Sequence, residues 1–114
     1  MDVESIREFC LSLPGATEDV KWEKNLTFLI GEKMFAVVGL KPGKTVMSFK
    51  CTPASFAELV ERKDIIPAPY LARHYWVGLE NTNALGEKDL KRYLEISYQL
   101  VLEKLPKKVK DKIS

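Results

Sequence analysis

Residues 26–51 read LTFLIGEKMFAVVGLKPGKTVMSFKC, and this stretch decides the fold. Two apolar runs, 26–30 and 34–40, flank the three-residue turn GEK. Apolar runs on both sides of a short glycine-containing turn are typical of a β-hairpin. A second turn, KPGK, follows the hairpin and sends the chain back toward it. The stretch therefore predicts an antiparallel meander.

The last strand of this meander, residues 45–51, has the clearest alternation of side chains. Because successive residues of a strand point to opposite faces, one face carries Met47, Phe49 and Cys51. The other face carries Val46, Ser48 and Lys50. We therefore expect one apolar face that packs on a core and one face with polar groups.

Helical spacing of apolar residues and end signals predict three helices around the meander. They cover residues 2–13, with Asp2 as the N-cap, a segment that begins at the N-cap Thr52 and Pro53, and residues 87–105, which Pro106 ends. A polar connector at 17–19 leads to a short strand at 20–22. A further strand is predicted at 74–80, with Tyr75, Val77 and Leu79 facing inward, and His74, Trp76 and Gly78 on the other side.

This order of elements predicts an α+β domain. The predicted architecture is an antiparallel sheet of four to five strands with three helices mainly on one face. The opposite face of the sheet is then expected to be open. Four polar or aromatic side chains are predicted to lie on it together: Ser48, Lys50, His74 and Trp76.

The segment before the last predicted strand reads IIPAPY at 65–70 and contains two prolines. Each proline fixes its own φ and removes a backbone donor, and each biases the preceding residue toward extended geometry. Residues 66–70 are therefore expected to form a stiff extended loop, neither helical nor part of an interior strand.

The length of 114 residues predicts a single domain at 1–106, followed by a basic tail at 107–114. Residues 103–114 hold five lysines against two acidic residues, so the net charge of +2 comes from this tail. The tail is expected to be a solvated, frayed end. No apolar run is long enough for a membrane span, the first residues are acidic, and the two cysteines share no CxxC or Cys/His cluster. These features predict a cytoplasmic protein with reduced, buried thiols. A monomer is the favoured state, and dimerisation through the open sheet face or an edge strand is the alternative.

Several motifs, in their order along nearly the whole chain, resemble the MmcQ/YjbR family of small bacterial proteins. The motifs are LPGATEDVKW at 13–22, KMFA at 33–36, SFKC at 48–51, IIPAPYLA at 65–72, WV at 76–77 and KLPKK at 104–108. The resemblance implies a single α+β domain related to the frataxin-like (CyaY-like) fold, with a double-wing appearance. It also implies DNA binding, and it brings no catalytic residue set.

The side chains present fit a largely sequence-independent nucleic-acid interface. Tyr70 and Trp76 could stack on bases, since every base offers a π-face. The candidate contacts to phosphates and bases, apart from these two aromatic residues, are Lys21, Lys24, Lys33, Lys50, Arg73 and His74. Nothing in the sequence is typical of a recognition helix with base-reading side chains.

The alternative hypothesis is a non-enzymatic module that binds a small molecule or a protein with the 67–73 loop and Trp76. A guanidinium beside aromatic walls would suit a planar or anionic ligand. We expect no enzyme, because His74 is the only histidine and neither cysteine is placed as a nucleophile. No metal or cofactor is expected, since the few acidic residues of the first helix are explained by the helix dipole.

Overall fold

The computed structural model describes residues 1–21, 24–40, 45–69 and 71–113. These residues form a six-stranded sheet in which every neighbouring pair of strands is antiparallel. The strands in chain order are β1 (Thr17–Lys21), β2 (Asn25–Ile30), β3 (Lys33–Gly39), β4 (Met47–Lys50), β5 (Ile65–Pro67) and β6 (Trp76–Leu79). Across the sheet the order is β1-β2-β3-β4-β6-β5.

The predicted α+β class and the antiparallel sheet are confirmed, but the predicted number of four to five strands is wrong. The connector predicted at 17–19 belongs to β1, where Glu18 pairs with Phe28 of β2. The first residues of the proline segment form β5, an edge strand in which Pro67 lies opposite Val77. An edge strand pairs on one side only, so a proline there need not remove a ladder hydrogen bond.

The described residues contain four α-helices where three were predicted: α1 (Val3–Ser12), α2 (Pro53–Leu59), α3 (Glu87–Glu103) and α4 (Lys107–Ile113). Both predicted N-caps are confirmed. The Asp2 carboxylate accepts a hydrogen bond from the Ser5 N–H at 2.8 Å, and the Thr52 hydroxyl accepts one from the Ser55 N–H at 3.1 Å. A side-chain acceptor at this position satisfies a backbone donor that the first turn leaves without a partner.

The predicted solvated tail is wrong, because residues 107–113 form α4 and pack on the domain. Pro106 ends α3. Its carbonyl accepts hydrogen bonds from backbone N–H groups of the next turn, including the Val109 N–H at 2.9 Å. Val109 and Ile113 are four residues apart, so they share one face of α4, and both pack against the core. Lys107, Lys108 and Lys112 are exposed on this helix, and Lys110 is half-buried.

One face of the sheet carries the core. Paired residues lie side by side across four strands, and Phe28, Ala36, Phe49 and Val77 form one such row, in which every side chain is fully buried. Helix α3 covers this row, and its Tyr93 stacks on Phe49 with ring centroids 6.0 Å apart. The prediction that helices cover the Met47/Phe49 and Val77/Leu79 face is confirmed.

The expectation of a bare opposite face is wrong. The segment after β5 folds back against this face, and two backbone hydrogen bonds to Trp76 hold it there. The Ala68 N–H donates to the Trp76 carbonyl at 3.0 Å, and the Trp76 N–H donates to the Leu71 carbonyl at 3.3 Å. A short 3₁₀ helix, Ala72–His74, follows. Tyr75 then adopts a φ of 63°, so β6 begins at Trp76 and the Tyr75 ring is exposed instead of facing inward as predicted.

Candidate anion-binding pocket

A cavity of about 570 Å³ lies on the second face of the sheet, at the edge where α3 ends. It is bounded by the start of β3, the end of β4, the start of β6, the 3₁₀ helix and the last turn of α3. The residues that line it are Lys33, Met34, Lys50, Leu71, His74, Trp76, Val101, Lys104, Leu105 and Pro106. Its size is typical of a pocket for a small molecule.

The polar side chains of this cavity are all basic. Lys33, Lys50, Lys104 and His74 line it, and no carboxylate is found among the lining residues that the structure describes. The ion pairs found within the described ranges use Arg7 and Arg62 instead. A cavity with several amino groups and no carboxylate in its wall attracts an anion.

The environment of Lys50 lowers the pKa of its amino group below the ordinary value of 10.5. Burial is the largest cause, since it disfavours the charged form, and the positive charge of Lys104 is the next. The two amino groups therefore lie close together and repel each other. An anion placed between them would relieve this repulsion.

The position of Lys50 is determined by a buried hydroxyl on α3. The Ser97 hydroxyl accepts the Lys50 backbone N–H at 2.9 Å and donates to the Phe35 carbonyl at 2.5 Å. A bulge near the start of β3 shifts its register with β2 between Phe28 and Leu29, and the pairing of β3 with β4 stops at Ala36 and Phe49. Ser97 thus bridges the two strands where their ladder ends, next to the cavity.

Trp76 lies in the wall of the cavity and is only 5% exposed. Its partner across the β4–β6 ladder is Lys50, so the two side chains point to the same face, as predicted. The prediction of an exposed indole that stacks on bases is wrong, because Trp76 is buried between residues 71–74 and the end of α3. The indole instead forms part of an apolar wall together with Leu71, Val101 and Leu105.

The predicted binding residues divide into two groups. Lys33, Lys50, His74 and Trp76 meet at the cavity, and Arg73 lies at its edge, where its Nε donates to His74 Nε2 at 3.3 Å. Lys21 and Lys24 lie at the opposite end of β2, about 17 Å away along the strand, so they do not belong to this site. Tyr70 lies outside the described residues.

The family follows from the sequence itself. A sequence model of the YjbR family matches residues 11–100. The chain belongs to the YjbR family. This confirms the resemblance found in the motifs. No curated protein matches the chain.

Solved structures share the fold of this YjbR domain. A Deinococcus radiodurans protein with the family-model domain DUF419 superposes with a TM-score of 0.85 at 24% identity, over 97% of this chain and 86% of that one. A Pseudomonas syringae protein superposes with a TM-score of 0.70 at 21% identity, over 88% of this chain and 98% of that one. At these identities the likeness concerns the fold.

The sequence pattern does not single out Lys104 and Leu71, which line the pocket of this YjbR domain, or Ser97, which holds the Lys50 backbone beside it. In the sequence, Lys104 is part of a basic stretch, Ser97 is not on the predicted apolar face of the last helix, and Leu71 is in a predicted loop. Lys104 and Ser97 lie 54 and 47 positions beyond Lys50 in the chain. No local pattern signals such a meeting, because it depends on how α3 crosses the sheet.

Other chemical groups of the YjbR domain lie apart from the pocket. Cys10 and Cys51 are buried, and burial raises the pKa of each thiol to about 12. Within the described ranges, no three His, Cys, Asp or Glu side chains are grouped as metal ligands. None of the helices in those ranges has the length and apolar character needed to cross a bilayer.

Proposed function

We propose that this YjbR domain is a non-enzymatic binding protein for a small anionic ligand with an apolar part, and that the ligand occupies the basic cavity. The carrying observation is that Lys50 and Lys104 line one cavity, and that no carboxylate is found among the described residues of its wall. A bound anion would stabilise both ammonium groups, because it offsets their mutual repulsion and the burial of Lys50.

The apolar part of the ligand is inferred from the rest of the wall. Trp76, Leu71 and Val101 offer a surface that an aromatic or aliphatic group would cover. Binding pockets for small molecules combine such apolar walls with a few polar groups that orient the ligand. The concave shape favours a small molecule over a duplex, whose backbone presents its phosphates to an exposed surface.

The absence of catalysis is part of the proposal. Both thiols are buried with a raised pKa, so they are poor nucleophiles at neutral pH. The Arg73 Nε donates a hydrogen bond to His74, and none of the described residues that line the cavity carries a hydroxyl or thiol that His74 could activate. The chemistry present is that of recognition.

Anilinonaphthalene sulfonate, a fluorescent aromatic anion, tests the pocket. We expect Lys50→Met and Lys104→Met each to weaken its binding about tenfold, the loss of one hydrogen bond to a charged group. Lys88→Met is the matched control, because Lys88 is exposed in the first turn of α3, about 24 Å from Lys104 along the helix. Equal binding by all three variants would place the probe elsewhere and refute the pocket.

DNA binding is the second candidate, favoured by the exposed lysines of α4. Lys107 and Lys108 are exposed and lie three and four positions after Lys104 in the chain, so basic residues continue from the pocket rim. In this proposal the contacts are to phosphates and independent of sequence. The family resemblance also implies a frataxin-like relationship, and the chain is expected to be a cytoplasmic monomer; these stay predictions.

Titration of labelled duplex and single-stranded DNA at two salt concentrations tests this candidate. Phosphate contacts require an affinity that falls steeply with salt and that weakens in Lys107→Ala and in Lys50→Ala. A chain that binds the fluorescent anion through Lys50, yet shows no salt-dependent DNA binding, would support the small-ligand proposal and contradict the DNA candidate.

A further inference from the structure

A second cavity of about 330 Å³ lies beside the basic one on the same face of the sheet. It runs along β3 from Met34 toward Gly39, which are about 17 Å apart along an extended strand. Val37 and Pro69 supply apolar walls, and Ser48 is one of its few polar side chains. No charged residue is among its described lining residues.

The two cavities share a wall. Met34 and Leu71 line both of them, and both residues are half-buried. Met34 has an unbranched, flexible side chain that adapts to the shape of its neighbours. Leu71 lies before the 3₁₀ helix, on the segment that covers this face of the sheet. A rotamer change of these two side chains would join the cavities into one trough.

We propose that the ligand is a single-chain amphiphile, with a carboxylate or phosphate head between Lys50 and Lys104 and an unbranched alkyl chain that passes Met34 and Leu71 into the second cavity. This inference rests on the proposed function and adds the class of ligand. The joined trough is basic at one end and apolar at the other, which matches such a molecule. The alkyl chain would cover Val37 and end toward Gly39.

Calorimetric titration with decyl phosphate and decanoate, both kept below their micelle concentrations, tests the inference. Butyl phosphate and butyrate are the short controls, and decanol is the uncharged one. The affinity should rise about threefold per added methylene until the trough is filled. Lys50→Met should weaken the binding of decyl phosphate about tenfold. Decanol, which has no charge, should bind far more weakly than decyl phosphate or decanoate.

Val37→Phe separates the two cavities, since Val37 lines only the apolar one. We expect this variant to bind decyl phosphate about tenfold more weakly and to bind butyl phosphate with unchanged affinity. Val20→Phe is the matched control, because Val20 is 53% exposed on the edge strand β1. As a measurement independent of the variants, decyl phosphate but not butyl phosphate should shift the methyl NMR signals of Val37 and Thr45 in the original protein.

The outcomes distinguish the two proposals. Lys50-dependent binding of butyl phosphate with no gain from a longer chain would overturn the amphiphile and leave the anion pocket standing. Lack of Lys50-dependent binding by any anion, the fluorescent one included, would overturn both. The protein could instead cosediment with phosphatidylglycerol vesicles in a Lys50-dependent way and bind none of the free amphiphiles. This result would show that the pocket recognises a membrane surface, and it would overturn the inference.

Discussion

At the scale of single residues, Ser97 connects the core to the pocket. Its hydroxyl is fully buried, and it replaces a ladder hydrogen bond between Lys50 and Phe35 where β3 and β4 separate. A buried polar group is tolerated only when it has hydrogen-bond partners, and here the hydroxyl has two. The same contact places Lys50 at the mouth of the cavity.

Ser97→Ala is expected to lower the free energy of unfolding by about 2 kcal/mol, because it leaves the Lys50 N–H without its partner from α3 and removes the donor to the Phe35 carbonyl. Ser12→Ala is the matched control, since the Ser12 hydroxyl also donates to a carbonyl, at 2.5 Å, but on the exposed surface. Denaturant unfolding measures both. Equal effects of the two substitutions would contradict the bridging role of Ser97.

Lys104→Met is expected to raise the pKa of Lys50 part of the way back to 10.5, because it removes the second cause of the shift and leaves burial, the largest one. The folded protein holds this proton less tightly than the unfolded chain does. Between the lowered pKa of Lys50 in the folded protein and its ordinary value in the unfolded chain, the free energy of unfolding therefore rises with pH. Lys104→Met should make this rise smaller, because it brings the two pKa values closer together. The Cε NMR shift of Lys50 measures the pKa, and an unchanged value would show that the two amino groups do not interact.

At the scale of elements, α4 docks on the turn between β2 and β3. Gly31 in this turn has a φ of +57°, and a Cβ at this position would lie 2.6 Å from Leu105 Cδ1 and 3.1 Å from Val109 Cγ1. Backbone geometry and close packing both require a glycine there. The contact holds the last turn of α3, and with it Lys104, against the sheet.

Gly31→Ser is expected to lower the free energy of unfolding by about 2 kcal/mol, through its left-handed backbone and the clash with Leu105. Gly86→Ser is the control: it meets nothing within 4 Å, has an ordinary φ of −65°, and caps α3. It should be neutral or stabilise by a few tenths of a kcal/mol, since serine is a good N-cap. Thermal unfolding compares the two, and a Gly31→Ser protein as stable as the original would show that α4 is not docked in this way.

At the scale of the whole molecule, basic residues collect around the pocket and on α4. Away from them, an ion pair between Arg7 and Glu18 joins α1 to β1. The Arg7 Nε donates to Glu18 Oε1 at 2.7 Å and Nη2 donates to Oε2 at 2.6 Å. This two-point pair lowers the pKa of Glu18 below its ordinary value of 4.5, first through the hydrogen bonds from Arg7.

Glu18→Gln is expected to lower the free energy of unfolding at neutral pH by no more than about 1 kcal/mol, the upper range for surface ion pairs. Because the folded pKa of Glu18 is lowered, its contribution is complete above pH 4.5 and is lost as the pH falls through the folded value. Urea unfolding at several pH values should show the two proteins converging in acid. A difference in the free energy of unfolding that persists below the folded pKa of Glu18 would mean that the charge of Glu18 is not the cause.

Much of the fold follows from local physical chemistry. The alternation of Met47 and Phe49, the caps at Asp2 and Thr52, and the shared face of Lys50 and Trp76 all depend on residues close in the chain, and all were predicted. The strand at β5 and the helix α4 were not, because an edge position that tolerates Pro67 and a core that accepts Val109 exist only after folding. The helix or strand propensity of a short segment carries no information about an edge position or about a core elsewhere in the fold.

The sequence by itself determined the α+β class, the core face, the family and a set of basic and aromatic candidates. Only the tertiary structure decided that Trp76 is buried, that Lys21 and Lys24 lie far from Lys50, and that Lys104 and Ser97 lie beside it. The physical reason is that strand periodicity determines which face a side chain occupies. What covers that face depends on the path of distant segments, here the chain before β6 and the end of α3.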